Sequence, residues 1–182
     1  MNENYLRFNP LIRSSYYQTV IGSLIDFEPE LASKTHHVLL PDGDLIALEI
    51  ATPKDWRPEN PSVLMVHGLC GSHRSHYMKR IARRLFNQGV QAIRINLRGC
   101  GSGRGLSKGI YHSGSSQDIF HVVENMKKMF PHSPKILMGF SLGANISLKL
   151  AAELGSGGDQ YLKGVIAVSP PADLLSSSRL LT

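Results

Sequence analysis

Short apolar runs alternate along this chain with stretches patterned at helical spacing, and that alternation limits the fold more than any other feature. The runs are Ser62 to Val66, Gln91 to Asn96, Lys135 to Met138 and Gly164 to Val168. Between them lie Tyr77 to Asn87, with Met78, Ile81, Ala82 and Leu85 on one face, and Gln117 to Phe130, with Ile119, Val122, Val123 and Met126 on one face. Leu142 to Leu154 is the third helical stretch, and Gly89 and Pro131 supply stops for the first two. Strands and helices in series predict an α/β fold, a mostly parallel sheet with crossover helices on both faces. Upstream, His37 to Leu40 and Leu45 to Ala51 flank Pro41-Asp42-Gly43-Asp44, which reads as a hairpin. The Gly/Ser-rich segment Gly99 to Ser116 reads as a long loop. Val165 to Val168 is apolar enough to want a neighbour on each side, and little chain follows it, so it is expected to leave an apolar edge.

Composition excludes several classes. The 182 residues are 42% hydrophobic and 19% charged, which suits one ordered domain over residues 1–182 rather than a disordered chain. No run approaches 18 apolar residues, and Met1 to Pro10 is too polar for a secretory signal. Two cysteines, Cys70 and Cys100, are too few for a disulfide scaffold and are expected to be reduced; a cytoplasmic location is the corresponding expectation. The net charge of +6 is spread over sites such as Arg80, Arg83, Arg84, Lys127 and Lys128, with no basic arm and no nucleic-acid-binding motif. Nucleic acid is therefore not an expected partner, whereas peripheral contact with an anionic lipid surface stays open.

Two pentapeptides match G-x-S-x-G. Gly139-Phe140-Ser141-Leu142-Gly143 follows an apolar strand and opens a helix, the setting in which such a serine stands on a sharp turn with its hydroxyl above the sheet. Gly105-Leu106-Ser107-Lys108-Gly109 has neither strand nor helix beside it and reads as loop. At a strand-to-helix turn the N–H of Leu142 lies at a helix N-terminus, where it can stabilise an oxyanion. The segment His67-Gly68-Leu69-Cys70-Gly71-Ser72 follows another strand, and the N–H of Leu69 is the candidate second donor. Here Gly68 allows close backbone approach, and His67 reads as a group that holds the turn rather than as a base. Asn96-Leu97-Arg98-Gly99-Cys100-Gly101-Ser102 matches neither the dinucleotide nor the Walker glycine pattern.

Together these segments resemble the α/β-hydrolase superfamily, in particular its YheT-like and abhydrolase-domain group of serine esterases and lipases. The resemblance runs through Tyr17-Gln18-Thr19, Leu40-Pro41-Asp42-Gly43-Asp44, His67 to Ser72, Asn96 to Gly101, Tyr111-His112-Ser113-Gly114 with Asp118, Gly139 to Gly143 with Asn145, and Val168 to Leu174. Ala144 stands where the group usually has glycine. The resemblance implies hydrolysis of small acyl esters by a Ser–Asp–His triad, with Ser141 as nucleophile, Leu69 and Leu142 as oxyanion donors, and His67, Gly68, Arg98 and His112 supporting the site loops. It implies neither metal nor organic cofactor.

The triad does not carry over whole. All eight histidines precede Ser141, and the acids after it, Glu153, Asp159 and Asp173, stand in no triad-like context. In the group, acid and base come from two later strand–helix units. The expectation is the N-terminal part of such an enzyme, or alternatively a catalytically inactive remnant or binding module. A third reading is a membrane-surface or nucleic-acid binder built on the same scaffold. His112, in the Gly/Ser loop, is the best placed substitute base, although a structural role suits it better.

Overall fold

The computed structural model describes residues 14, 17, 28–171 and 173–179. Met1 to Pro10, the Gln18-Thr19 part of the N-terminal resemblance, and Ala172 lie outside the described residues.

Six strands form one sheet: β1 (Lys34–Leu39), β2 (Leu45–Ala51), β3 (Ser62–Val66), β4 (Gln91–Asn96), β5 (Lys135–Phe140) and β6 (Gly164–Val168), in the order β1-β2-β4-β3-β5-β6. The hairpin β1–β2 joins antiparallel to β4, while β4, β3, β5 and β6 run parallel to one another. Alternation along the central strands β3, β4 and β5 sends residues to two cores. Helix α1 (His76–Asn87) packs Met78 and Ala82 with Val63, Met65, Ala92 and Phe140 on one face. On the other face, α2 (Ser116–Met129) and α3 (Leu142–Leu154) bring Ile119, Val122, Met126, Ile146 and Leu150 against Leu64, Val66, Ile93, Ile95 and Leu137. Helices on both faces of a largely parallel sheet is the architecture that the apolar periodicity predicts.

Several boundaries and elements differ from those the sequence predicts. Strand β1 starts at Lys34 rather than His37, because Lys34, Thr35 and His36 pair with Ile50, Glu49 and Leu48 although their side chains are polar. Pairing, not hydrophobicity, extends an edge strand. Strand β5 runs two residues further, since Gly139 and Phe140 pair with Ala167 and Val168. Helices α1 and α2 each begin one residue earlier than their periodicity indicates. A short helix α4 (Leu174–Arg179) follows Asp173, whose carboxylate accepts the Ser176 N–H at 3.0 Å, a helix-start bond with no apolar periodicity to announce it. The Gly/Ser loop also contains a 3-10 turn, Gly101–Gly103.

Helix α1 ends as its glycine predicts. Gly89 takes φ +76, and the N–H groups of Gly89 and Val90 reach back to the carbonyls of Phe86 and Leu85. At the other end of the sheet, β6 pairs with β5 alone among the described residues, and Ile166 and Val168 are 44% and 39% exposed. The apolar edge expected from its composition is present.

Candidate active site

Ser141 sits at the junction of β5 and α3 with φ 50 and ψ −119, a conformation that costs a non-glycine residue on the order of 1–3 kcal/mol. Its neighbours explain why the turn can close. A Cβ on Gly139 would lie 2.6 Å from Cα and N of Ala144. A Cβ on Gly143 would overlap the carbonyl oxygens of His67 and Val66. Both glycines are thus required by close approach of backbone: the first lets α3 turn sharply off β5, the second lets α3 start against the end of β3. The Ser141 N–H donates to the Val168 carbonyl at 2.9 Å, tying the turn to β6.

Two hollows flank the exposed Ser141. One, about 360 Å³, is lined by Gly68, Leu69, Tyr77, Phe140, Val168 and Ser169 beside Ser141 itself. The other, about 430 Å³, is lined by Leu69, Ser113, Leu142, Pro171, Leu174 and Ser177, again with Ser141. Ser141 and Leu69 are common to both. Cys70, Ser141 and Ser169 are the described non-glycine residues with positive φ, so strained backbone gathers around this one spot.

The His67–Ser72 turn is fixed by its own histidine. The Leu97 N–H donates to His67 Nε2 at 3.2 Å, so Nδ1 must carry the proton, which it donates to the Gly68 carbonyl at 2.8 Å. The ring is buried, and burial holds its pKa below the ordinary 6.5, against the pull of the Gly68 carbonyl. A neutral His67 with both nitrogens occupied holds the turn and is not available as a base. Next to it, the N–H groups of Gly68 and Cys70 donate to the hydroxyls of Tyr77 and Tyr111 at 2.9 and 2.8 Å. Among the described residues the N–H groups of Leu69 and Leu142 have no acceptor.

Arg98 is a hub. Its guanidinium pairs in a two-pronged fashion with Asp118 at 2.7 and 2.8 Å and reaches Asp42 and Asp44 at 2.6 Å each. These partners, Asp118 first, raise its pKa above an already high value. One side chain so joins the β1–β2 turn, the loop after β4 and the first turn of α2. His112 lines neither hollow; its Nδ1 accepts the Gly114 N–H at 3.0 Å in a local turn. No partner for Ser141 Oγ occurs among the described residues. Burial pushes the Cys100 thiol up, away from the reactive thiolate.

Of the residues singled out in the sequence, the structure brings Ser141, Leu69, Leu142 and Gly68 around one point with His67 behind the turn, while Arg98 stands one layer back and His112 stands apart. Tyr77 and Tyr111, the partners of the turn, are not among the site residues singled out in the sequence. Tyr111 lies in a recognisable segment, Tyr-His-Ser-Gly, but Tyr77 carries no local pattern beyond its place on α1. No group of three or more His, Cys, Asp or Glu side chains among the described residues could hold a metal ion. No helix among them is long and apolar enough to cross a membrane.

Residues 61–180 match the family model for the alpha/beta hydrolase fold. The chain belongs to the α/β-hydrolase family. Among curated relatives, it is 27% identical to YheT of Escherichia coli over 86% of this chain and 45% of that protein. It is 32% identical to the monoacylglycerol lipase of Saccharomyces cerevisiae over 65% of this chain and 26% of that one. A serine hydrolase without a lid from Xanthomonas campestris superposes with TM-score 0.65 at 25% identity, covering 81% of this chain and 65% of that one. The chain thus spans less than half the length of these two curated relatives.

Proposed function

We propose that Ser141 is the nucleophile of a serine hydrolase that acts on carboxylic esters, with the N–H groups of Leu69 and Leu142 as its oxyanion hole. The observation that carries this reading is the strained Ser141 backbone between two glycines that no larger residue can replace. A turn that holds strain persists because the surrounding structure enforces it, and here it presents a hydroxyl directly before the Leu142 N–H and in hollows shared with Leu69, two N–H groups that have no acceptor among the described residues. In the reaction Ser141 Oγ would add to the acyl carbonyl. The oxygen that gains charge would be received by the two N–H groups, and a base would take the serine proton. The apolar character of the hollows around Ser141, with Leu69, Val168 and Leu174 in their walls, suits the acyl and alcohol parts of an ester. Names borne by the relatives, a lipase among them, point the same way.

A second reading is favoured by one observation: no histidine lines either hollow. On these 182 residues taken alone, the site would then bind acyl compounds without turnover. A fluorophosphonate probe decides between the two, because it reports an activated serine. Labelling of the folded chain that disappears in Ser141→Ala supports the nucleophile. A folded chain that does not label supports the binding module and removes the hydrolase reading for this chain.

The rim supports a peripheral lipid contact as well. Leu69 is 61% and Ile110 82% exposed, beside the exposed Arg74 and Arg104 in one hollow. Co-sedimentation with anionic vesicles that falls as salt rises is the expected outcome, and salt-independent or absent binding refutes it.

A further inference from the structure

We propose that Tyr77 and Tyr111 are positioning residues that clamp the His67–Ser72 turn, so that of three successive backbone N–H groups only the middle one, at Leu69, is left for an incoming oxyanion. The inference rests on the reading of Ser141 and Leu69 given above and names what sets their geometry.

The argument starts from the alternation of partners. Gly68 N–H donates to the Tyr77 hydroxyl and Cys70 N–H to the Tyr111 hydroxyl, while the Leu69 N–H between them has no acceptor among the described residues. A turn with three free N–H groups could present any of them to a substrate oxygen, each at a different distance from Ser141. Two phenol oxygens remove the outer pair from that choice.

Each phenol is itself held. The Tyr77 ring packs 4.9 Å from the ring of Phe140, the residue directly before Ser141, so this clamp ties the turn to the nucleophile's own strand. The Tyr111 ring stands edge-on to His67 at 5.9 Å. The turn's carbonyl side is closed too, since the Gly68 oxygen accepts from His67 Nδ1 and from the Gly71 N–H at 3.1 Å. Restraint is needed because Cys70 takes φ 56, a conformation that a non-glycine residue leaves when nothing opposes it. Removing the Tyr111 hydroxyl frees Cys70 to relax. Removing that of Tyr77 sets Gly68 N–H free as a competing donor. Either change moves the Leu69 N–H relative to Ser141, and a displacement of about 1 Å is enough to cost on the order of 100-fold in rate.

Tyr77→Phe and Tyr111→Phe keep the rings and delete only the acceptors. Amide hydrogen exchange of the full chain reads the clamp directly. In the wild type, Gly68 and Cys70 should exchange slowly and Leu69 fast. Tyr77→Phe should speed Gly68 alone by about tenfold or more, and Tyr111→Phe should do so at Cys70 alone. Fluorophosphonate kinetics read the consequence: each variant should lower the maximal inactivation rate about 10- to 100-fold, with the probe's apparent affinity unchanged. That is less than the loss of a whole oxyanion donor. A merely structural tyrosine would speed exchange throughout the domain and leave the inactivation rate of the folded fraction intact, and that result overturns the proposal. So does unchanged exchange at Gly68 and Cys70. If the wild type fails to react at Ser141, the nucleophile reading falls, and the exchange pattern still decides whether the clamp exists.

Discussion

The two G-x-S-x-G segments of this chain have the same pattern and opposite structures. At Ser141 both glycines are pressed against backbone, the serine is strained, and a helix departs at once. Around Ser107 the space beside Gly105 is open, and the nearest atoms to a Cβ on Gly109 belong to side chains, Arg98 Nη1 at 3.1 Å and Asp44 Oδ2 at 3.3 Å, rather than to backbone. What that second segment does instead is bind a carboxylate: the N–H groups of Lys108 and Gly109 donate to Asp44 at 2.9 Å and, ahead of Arg98, hold its pKa below the usual range. The glycines of the first are demanded by packing, whereas in the second only Gly105, at φ +76, is demanded by turn conformation. A pattern of letters becomes a site only where the sheet and helix close on it.

The widest gap between the two should appear in chemistry. Ser141→Ala should abolish fluorophosphonate labelling, a loss of several orders of magnitude, whereas Ser107→Ala should label at the wild-type rate. Loss of labelling in Ser107→Ala would erase the distinction. Stability should separate them next. Gly143→Ala drives a methyl into the carbonyls of Val66 and His67 and should cost about 3 kcal/mol. By contrast, Gly105→Ala, with open space but φ +76, should cost about 1 kcal/mol. Urea midpoints give both values, and equal losses would show that close approach is not what the first pair of glycines serves.

Acid should sharpen the comparison further, because each segment leans on a different titrating group. His67, behind the Ser141 turn, has a folded pKa below its unfolded 6.5, so the unfolded chain takes up the proton first. Stability should therefore fall as pH drops from about 6.5, and His67→Gln should flatten that limb. Asp44, under the Ser107 segment, has a folded pKa below 3.8. Its contribution is present above that value and is lost as pH falls through the lower folded one, a second limb that Asp44→Asn should remove. The smallest effect is on Ser107 itself. Its buried hydroxyl has no hydrogen-bond partner among the described residues, and Ser107→Ala should change stability by no more than about 0.5 kcal/mol.

Most of the scaffold was legible in the sequence. Buried parallel strands and amphipathic helices leave strong periodic signatures, and β2, β3, β4, α3 and β6 fall where those signatures put them. Where the signature is weak the reading slipped. Lys34 to His36 extend β1 through main-chain pairing, which side-chain polarity hides, and α4 rests on an Asp173 bond that six residues of context do not reveal. The site divided the same way. Local geometry is written locally when its setting is read with it: glycines two residues either side of a serine, between an apolar strand and an amphipathic helix, encode a sharp turn, and a His-Gly step after a strand encodes a tight one. Glycine's lack of a side chain is a property of the residue itself, so the sequence alone determined where backbone could approach backbone.

Everything that depends on a distant partner was decided by the tertiary structure. Arg98 gathers three carboxylates from two other elements, and two tyrosines, nine and forty-one residues from the N–H groups they hold, choose which donor of a turn stays free. The neutral state of His67 comes from an N–H thirty residues away together with burial in the packed chain. Hydrogen-bond partners and desolvation are set by what folding brings within a few ångströms. No spacing along the chain encodes that, because these groups meet only through the sheet order, which places β4 between β2 and β3.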